Sequence, residues 1–574
     1  MHIELVRGSD ADLLLADARF RDEWTRIHQR CPWSTSFQGV GFACTWYRIY
    51  RGRFEPVLLL SRDPEGVLAG LLPLASSDDG TLMVAGGAQA EYQVWICSLE
   101  TSDAFVSGAV KALRREFPSS VLAFRYLPPG TPTAWFSGRE AGWRFALAAH
   151  RRPLLRLGDG GEATRSLAKK SNKSRLNRLE RIGPLEFRHV TEPEEFALVC
   201  DDIIRNYDFR QAAVHGVAPF RDDDLKKPFH VAMMDTPGLL HVTVLKVGDR
   251  CAAAHIGVCG EKEVQLGIIA HDPSLAKHSP GKFHVLFLAQ MLRAEGYTQL
   301  DLTPGGDSYK ERFANGFDEV HELTVYLSLR QHLRDAIRAG IANAIKAPLR
   351  AVGIAPERIR VLQRKLSGHH LLSTLLAWVG YARGWVTRRH EMRIYSHNGT
   401  DVLGADELFS IRCNALEDLL GFVPGDDDPS PQEFLFTALQ RIEDGSRIYT
   451  YAERGELMCY GWLTHEGESA AVGEVGQRTG LPKQSAYILD LRVWSRARKS
   501  ELLAACLRAM LRDAASMAGP VKTHISVPAD DALLREVVQQ TGFVYEGSQF
   551  AQVRFGRARQ WTRKPDPKVG RRSD

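Results

Sequence analysis

The same order of strand and helix patterns occurs three times along this chain of 574 residues. In each case, apolar stretches that predict strands lead into a stretch with the 3.6-residue period of a helix, and another strand pattern follows. The three segments are residues 1–152, 153–330 and 390–556. Because this repeat is much longer than the roughly 20 to 50 residues of a solenoid unit, it predicts duplicated α/β domains.

The first segment shows the pattern most clearly. A β-hairpin is predicted from the apolar runs 56–61 and 67–74, which are separated by the turn sequence Asp63-Pro64-Glu65-Gly66. A helix is predicted over 103–117, and the strand-like run 121–127 follows it. The strands predicted in the second segment are 239–247, 252–258, 263–269 and 300–303. The elements predicted in the third segment are strands 447–452, 456–463, 487–493 and 523–527, and a helix 501–515.

Composition limits the class of protein. Apolar residues make up 44% of the chain, charged residues 25% and aromatic residues 9%, which excludes a mostly disordered or fibrous chain. The net charge of +5 is too balanced for a dedicated nucleic-acid coat protein. The nine cysteines form no C-x-x-C pair and no cysteine and histidine cluster at zinc spacing, so we expect reduced core cysteines and no metal.

The two ends of the chain and the connector between the second and third segments indicate the cellular compartment. The first residues show no secretion-signal pattern, and the apolar run 371–379 is about half of the roughly 20 residues that a membrane-spanning helix needs, so we expect a cytoplasmic protein. Residues 331–389 predict a basic helical connector. Such a stretch suits either an inter-domain helix or peripheral contact with the anionic surface of the inner membrane. Residues 557–574 predict a disordered basic tail.

A basic run begins the second segment. Residues 165–181 contain many lysines and arginines but one acidic residue, Glu180. The simplest interpretation is a solvated basic helix. A surface that meets a phosphorylated or acidic substrate is the alternative, and this run is a secondary site candidate.

The sequence Ser279-Pro280-Gly281 predicts the start of a helix. Serine is favoured at the N-cap and proline at the first helical position, and glycine leaves the exposed backbone N–H groups uncovered. These donors and the positive end of the helix dipole suit a pyrophosphate, and His278 and Lys282 add nearby positive charge. Plain capping of the helix is the alternative interpretation.

The residues after the next strand carry a longer motif. Asp301, Gly305, Tyr309, Lys310 and Phe313 follow the pattern D-x-x-x-G-x-x-x-Y-K-x-x-F. With the S-P-G helix start, this order resembles the CelD-like acetyltransferase family, which is related to the FemAB peptidyltransferases within the GNAT superfamily. The resemblance covers about residues 30–325. It implies an α/β (α+β GNAT-type) fold with tandem GNAT-like domains, mixed central sheets and flanking helices. Residues 390–556 resemble a third GNAT-like domain more weakly.

The resemblance also implies an activity. An acyl-CoA, with acetyl-CoA as the expected donor, would transfer its acyl group to an amine on a small molecule, with an amino sugar or glycan precursor as the expected acceptor. Tyr309 matches the tyrosine that protonates the departing thiolate in GNAT enzymes. His255 and Asp301 are candidates for the general base, although both are also consistent with structural roles. Lys310 is expected either to contact the CoA phosphates or to pair with an acid.

Two departures from the family pattern support a competing hypothesis. His278 stands at the usual basic position of the pyrophosphate loop, and Phe283 replaces a small residue. In the third segment, Lys499 replaces a glycine, which predicts a degenerate or regulatory copy. The competing hypothesis is a non-catalytic scaffold or regulator that attaches a polysaccharide-synthesis complex to the inner membrane surface.

Overall fold

The computed structural model describes residues 1–133, 136, 144–158, 161–337, 388–398, 409–425, 428–465, 471–472, 477–478, 485–494, 499–518, 522–554 and 557–563. These residues form two compact units. The first unit contains residues 1–204, 219–271 and 278–337, and the second contains residues 205–218, 272–277 and those from 388 onwards. Each unit has a mixed sheet of eight strands with helices against it, which confirms the predicted α/β class.

The main described elements of the first unit are strands β1 to β13 and helices α1 to α10. The strands are β1 (Glu4–Arg7), β2 (Glu55–Arg62), β3 (Leu68–Ser76), β4 (Leu82–Val84), β5 (Ile96–Cys97), β6 (Val121–Leu127), β7 (Phe145–Arg156), β8 (Leu185–Val190), β9 (Leu240–Val247), β10 (Arg250–Cys259), β11 (Glu263–His271), β12 (Gln299–Asp301) and β13 (Gly316–Tyr326). The helices are α1 (Gly8–Ala16), α2 (Ala18–Arg30), α3 (Val40–Tyr50), α4 (Ser102–Glu116), α5 (Gly161–Ala168), α6 (Lys170–Ile182), α7 (Pro193–His215), α8 (Lys226–Met234), α9 (Pro280–Ala294) and α10 (Ser308–Phe313). Helix α7 passes from the first unit into the second at residue 205.

The smaller sheet of the first unit contains the predicted hairpin. Strands β2 and β3 are antiparallel and pair continuously from Glu55 opposite Ser76 to Ser61 opposite Gly70. The register then shifts by one residue, so that Arg62 lies opposite Leu68. The turn between them includes Gly66, whose φ of 83° is in the left-handed region that glycine adopts without steric cost. The hairpin prediction is therefore confirmed.

The larger sheet has the strand order β6-β13-β7-β12-β11-β10-β9-β8. Strand β13, near the end of the second predicted segment, lies between β6 and β7 and pairs with both. The predicted boundary between residues 152 and 153 falls inside β7. One sheet therefore takes strands from both predicted segments, and the division at residue 152 does not separate two sheets.

Helix α9 closes one face of this sheet. It buries Phe283, Leu288 and Leu292, and the last two pack with Val264 of β11 and Leu300 of β12. Leu288 and Leu292 are one helical turn apart, so they lie on the stripe of the helix that faces the core. This packing fixes the start of α9 relative to β11 and β12.

The second unit contains ten described strands and four described helices. The strands are β14 (Arg388–His397), β15 (Arg412–Cys413), β16 (Arg447–Glu453), β17 (Glu456–His465), β18 (Ala471–Val472), β19 (Gln477–Arg478), β20 (Ser485–Val493), β21 (Lys522–Pro528), β22 (Val544–Arg554) and β23 (Arg557–Arg563). The helices are α11 (Leu416–Leu420), α12 (Pro431–Glu443), α13 (Lys499–Ala518) and α14 (Ala532–Gln540). The large sheet has the order β15-β16-β17-β20-β21-β14-β22-β23, in which β20 and β21 are parallel. All five elements predicted for the third segment are present.

Three expectations need correction or lie outside the described residues. Residues 557–563, predicted to be disordered, form β23, because the edge of β22 supplies backbone partners and Phe550 stacks on Trp561 with ring centroids 5.4 Å apart. Residues 331–337 of the predicted connector are helical and 388–389 begin β14, while residues 338–387 lie outside the described residues, as does the tail from residue 564. The nine cysteines all lie in the described residues and form no disulfide there, but Cys413 is exposed and is not a core residue.

No described helix is long and apolar enough to cross a bilayer.

Candidate functional site

Strands β11 and β12 open a gap in the larger sheet. They run parallel and pair at only three positions, which end with Gln265 opposite Asp301. Strand β12 stops at Asp301, whereas β11 continues to His271. Beyond the last pair, the backbone N–H and C=O groups on this edge of β11 have no β12 partner. A parallel pair that separates in this way leaves backbone donors for an extended ligand.

The predicted helix start lies beside this gap. Helix α9 begins at Pro280, as predicted, and Ser279 occupies the N-cap position. Its backbone is left-handed, with a φ of 58°, and its side chain makes no capping hydrogen bond. Instead, the hydroxyl accepts a 3.1 Å hydrogen bond from the Arg175 guanidinium on α6. The serine is therefore the N-cap by position only, and its side chain links two helices.

Fewer amide donors are available at this helix start than the sequence suggests. The Lys282 and Phe283 amides donate to the Ser279 carbonyl at 3.1 and 3.4 Å, and Pro280 has no amide hydrogen. The Gly281 amide is the remaining donor of this turn, and it donates to no backbone carbonyl among the described residues. A Cβ added at Gly281 would lie 3.5 Å from Nδ1 of His271, which is ordinary contact. Side chains must therefore supply most of the binding capacity for an anion.

Positively charged side chains gather around the same point. Lys282 on α9 donates a 2.9 Å hydrogen bond to Oδ1 of Asn172 on α6. Burial is the main cause that lowers the pKa of Lys282, and repulsion from Arg175, Lys169 and Arg312 lowers it further. A group of cations that repel one another is stabilised by a bound anion. His278 ends the 3-10 turn that directly precedes Ser279.

Asp301, at the end of β12, is fully buried and accepts three hydrogen bonds. The Tyr92 hydroxyl donates to it at 2.6 Å, Arg152 on β7 at 3.2 Å and the Thr303 amide at 2.8 Å. Burial is the main cause that raises the pKa of Asp301 to about 6, against the opposing effect of Arg152. Arg152 also donates two hydrogen bonds to Asp318. The two side-chain donors to Asp301 come from distant parts of the chain. Their hydrogen bonds connect β7 and the segment that contains Tyr92 to the end of β12.

Lys310 is buried inside the loop between β12 and α10. Its ammonium group donates to the carbonyls of Thr303 and Pro304 at 3.2 and 3.3 Å and to the Thr303 hydroxyl at 3.1 Å. Its pKa is lowered by burial, while Asp307, 3.6 Å away, opposes that shift. Of the two alternatives predicted for Lys310, the geometry agrees with pairing to an acid within this loop. A contact with CoA phosphates stays a prediction.

Tyr309 lies in the first turn of α10, directly after this loop. Its side chain is half-buried and packs on the cluster that includes Leu300 and Leu302. The hydrogen bonds of Lys310 fix the loop and thereby the start of α10. Tyr309 is thus held close to the end of β12, where the sheet opens.

His255 occupies the middle of β10 and is fully buried. Neither of its ring nitrogens has a hydrogen-bond partner among the described residues. Burial is the main cause that holds the pKa of His255 well below its ordinary value, and the neighbouring histidines His241, His284 and His189 add to the effect. The imidazole is therefore neutral, as a base must be, but it is sealed from solvent.

The structure brings some predicted site residues together and separates others. Ser279, Pro280, Gly281 and Lys282 form one group with α6, and Asp301, Tyr309 and Lys310 form a second group around the loop after β12. Sequence reasoning named the basic run 165–181 but did not identify Asn172 or Arg175 as contacts of the helix start. It also missed Tyr92 and Arg152, because no local spacing connects these residues to Asp301.

The site lies in a stretch with a recognisable domain pattern. Residues 166–311 match the family model described as the acetyltransferase (GNAT) domain. This part of the chain is therefore similar to the GNAT acetyltransferase domain. The match includes α6, α9, β11, β12 and Tyr309, and it covers about a quarter of the chain. No curated protein matches the sequence.

Solved structures resemble the chain at low sequence identity. The C-terminal domain of a putative lysylphosphatidylglycerol synthetase from Agrobacterium fabrum is 15% identical, with 56% of this chain and 96% of that chain covered and a TM-score of 0.35. L-PGS from Bacillus licheniformis is 11% identical, with 54% and 92% covered and a TM-score of 0.36. A tandem GNAT protein from the clavulanic acid biosynthesis pathway is 15% identical, with 56% and 98% covered and a TM-score of 0.34.

Proposed function

We propose that the chain is an acyl-CoA-dependent N-acyltransferase that uses acetyl-CoA and acts on an amine. The observation that carries the proposal is the cation group formed by Lys282, Arg175, Lys169 and Arg312 at the start of α9, inside the stretch that matches the GNAT domain. The anionic pyrophosphate of CoA is the ligand chemistry that relieves their mutual repulsion. The Gly281 amide adds one backbone donor.

We propose that the gap between β11 and β12 binds the rest of the acyl donor, which is the arm of CoA beyond the pyrophosphate. The amide-containing arm of CoA is extended and can pair with the backbone groups of β11 beyond Gln265. This arrangement would place the thioester near the end of β12, on the side where α10 begins. In this proposal His278, Ser279, Pro280, Gly281 and Lys282 contact the cofactor.

Acyl transfer to an amine has three requirements, each of which involves a proton or a developing charge. The amine loses a proton, the tetrahedral oxyanion accepts backbone hydrogen bonds, and the departing thiolate takes a proton. We propose Tyr309 as the donor of that last proton. For Asp301, the hydrogen bonds from Tyr92, Arg152 and the Thr303 amide favour a positioning role. His255 stays the second candidate for the base, and its burial requires a proton path through neighbouring side chains or water.

The proposed acceptor is the amine of an amino sugar or glycan precursor, as the family resemblance implies. Peripheral attachment to the inner membrane or to a polysaccharide-synthesis complex is likewise a proposal from the sequence of residues 331–389, most of which lie outside the described residues.

Calorimetric titration of acetyl-CoA into the full chain tests the proposed donor site. The wild type is expected to bind, and Gly281→Trp is expected to abolish binding because the indole would cover the first turn of α9. Gly281→Ala is the matched control, since its Cβ makes only ordinary contact with His271. Failure of the wild type to bind would show that acetyl-CoA is not the acyl donor. Equal binding by the tryptophan variant would show that acetyl-CoA binds away from the start of α9.

A charge test on α6 and α9 complements this experiment. Arg175→Gln and Lys282→Gln are each expected to weaken acetyl-CoA binding about fivefold to thirtyfold, as for the loss of a charged hydrogen bond of about 1 to 2 kcal/mol. Arg178→Gln on the same helix is the control, because Arg178 is exposed and is not part of the cation group at the helix start. If all three variants lose affinity for acetyl-CoA equally, the overall positive charge of α6 attracts the ligand, and no defined binding site at the helix start is needed.

A second candidate donor is an aminoacyl-tRNA, as used by FemAB relatives. The observation that favours it is a surface depression on α6 whose lining is basic; the lining residues are Lys170, Lys173, Ser174, Asn177, Arg178 and Arg181. Phosphate contacts of this kind are sequence-independent and weaken steeply with salt. Salt-sensitive tRNA binding that is lost in a Lys173→Gln, Arg178→Gln double variant would support this donor, whereas acetyl-CoA binding with no tRNA binding would exclude it.

A further inference from the structure

Two histidines and one glutamate converge at the opposite end of α9 from the proposed cofactor site. His189 on β8 and His241 on β9 point to Glu295, the C-cap residue of α9. Nδ1 of His189 lies 3.0 Å from Oε1 of Glu295, and Nε2 of His241 lies 2.9 Å from Oε2. The two imidazole rings stack with centroids 4.2 Å apart and planes at 28°. We name these three residues the His–Glu cluster.

We propose that the His–Glu cluster binds one divalent transition-metal ion of the zinc type. One nitrogen from each ring and one carboxylate oxygen all lie within 4.8 Å of one another. Two histidines and one glutamate form a known zinc ligand set that leaves a fourth position for water. Ligands about 2.0 to 2.2 Å from a tetrahedral ion are roughly 3.4 Å apart, so each of the two nitrogen-to-oxygen distances would widen by about half an ångström around an ion.

The electrostatics of α9 favour a cation at this point. The carbonyl end of a helix carries partial negative charge, and a carboxylate placed there is unfavourable unless a cation offsets it. Glu295 is such a carboxylate, since α9 ends at Ala294. A lysine or arginine would be the ordinary neighbour, but its described partners here are the two imidazoles. A metal ion supplies the missing charge.

The three ligands differ in burial. His241 is 1% exposed, so its ring is enclosed by the surrounding side chains. His189 and Glu295 are about 30% exposed, so an ion and its water can reach the cluster from solvent.

The inferred site is separate from the proposed acyl-transfer site. Helix α9 has 15 residues, which at about 1.5 Å per residue puts its two ends roughly 22 Å apart. A metal here would therefore stabilise the packing of α9 on β8 and β9 and would take no part in acyl transfer. Sequence analysis predicted no metal because the ligands come from three separate elements and show no local spacing.

Metal titration of the full chain, without a polyhistidine tag and after chelator treatment and dialysis, tests the inference. Cobalt(II) is the probe, because tetrahedral coordination gives intense visible absorption. We expect one equivalent of cobalt to bind, zinc to displace it, and either metal to raise the unfolding midpoint. His189→Gln and Glu295→Gln are each expected to weaken binding at least tenfold, since even outer residues of metal sites change affinity about 10- to 100-fold.

His321→Gln is the matched control. His321 is 29% exposed and lies 3.2 Å from a single carboxylate, that of Glu319, whereas His189 is 28% exposed and shares Glu295 with a second histidine. The control variant is expected to bind metal as the wild type does. The inference is overturned if the wild type binds no equivalent of cobalt or zinc, or if both cluster variants bind as tightly as the control. The latter result would indicate another ligand, such as the exposed thiol of Cys413.

Discussion

The hydroxyl of Tyr92 donates a 2.6 Å hydrogen bond to Oδ2 of Asp301, although 209 positions separate the two residues in the chain. Both side chains are almost fully buried. The bond ties the segment after β4 to the end of β12, at the point where β12 and β11 separate. The Asp301 carboxylate, to which we assign a positioning role, is therefore itself held by a residue from the first predicted segment.

Tyr92→Phe is expected to lower the free energy of unfolding by about 1 to 3 kcal/mol, because the variant leaves a buried carboxylate without one of its donors. Urea unfolding of the full chain measures the change. Tyr126→Phe is the control, since Tyr126 is half-buried at the surface of β6 and its loss of a hydroxyl should change stability little. Equal stability of wild type and Tyr92→Phe would show that the hydrogen bond has no net effect.

Lys310→Met is expected to loosen the loop after β12. The variant removes the three hydrogen bonds to Thr303 and Pro304, and Thr303 has a positive φ of 59° that the loop must maintain. Hydrogen exchange should become faster in residues 303–308 while β11 and α9 stay protected. Lys111→Met, at an exposed position of α4, should leave exchange in that loop unchanged. Unchanged protection in Lys310→Met would mean that backbone contacts alone hold the loop.

Stability of the chain is expected to fall as the pH drops below about 6.5, in part because of His230. Burial is the main cause that lowers the pKa of His230 to about 3. Below its ordinary pKa the unfolded state binds a proton that the folded state does not, so stability is present above about pH 6.5 and is lost as the pH falls towards 3.

The measurement is the free energy of unfolding at several pH values between 7 and 5. His230→Gln removes a group that only the unfolded state protonates in this range. The change of the free energy of unfolding with pH should therefore become shallower, by at most about 1.4 kcal/mol per pH unit at the acidic end. His2→Gln is the control because His2 is exposed, and its slope should equal that of the wild type. If His230→Gln keeps the wild-type slope, His230 is protonated in the folded state.

Gly421→Ala is expected to destabilise the second unit. The added Cβ would overlap the backbone carbonyl oxygen of Gly455, which cannot rotate away as a flexible side chain would. Overpacking of this kind costs about 1 to 3 kcal/mol, and thermal unfolding should show a lower midpoint. Gly52→Ala is the control, since nothing lies within 4 Å of its added Cβ. A Gly421→Ala variant as stable as the control would mean that the turn after α11 shifts without cost.

The secondary structure was largely predictable, because it depends on local periodicity. The run 56–74 has apolar stretches on both sides of a Pro-Glu-Gly turn, and the structure shows the antiparallel pair β2 and β3. Likewise, α9 starts at Pro280 as the Ser-Pro-Gly sequence predicts. Strand β23 was missed because its stability comes from pairing with β22 and from the Phe550 and Trp561 stack, which no window of sequence contains.

The candidate site was predictable only in part. The residues of the helix start and of the loop after β12 are contiguous motifs, so their residue types indicate the chemistry directly. The partners that hold them are distant in sequence: Arg175 reaches Ser279 across 104 positions, and Arg152 reaches Asp301 across 149. The His–Glu cluster was not predictable for the same reason. Such contacts depend on strand order, and hydrophobic patterns do not specify strand order.

The position of β13 between β6 and β7 has a consequence for synthesis on the ribosome. Strands β6 and β7 are made early, but β7 cannot pair along its length until residues 316–326 have left the exit tunnel. Until then, β6 and the far edge of β7 are open strand edges that other chains can join. Pairings of such large sequence separation also form slowly. A nascent chain stalled before residue 316 should therefore need chaperone protection that a chain released beyond residue 326 does not.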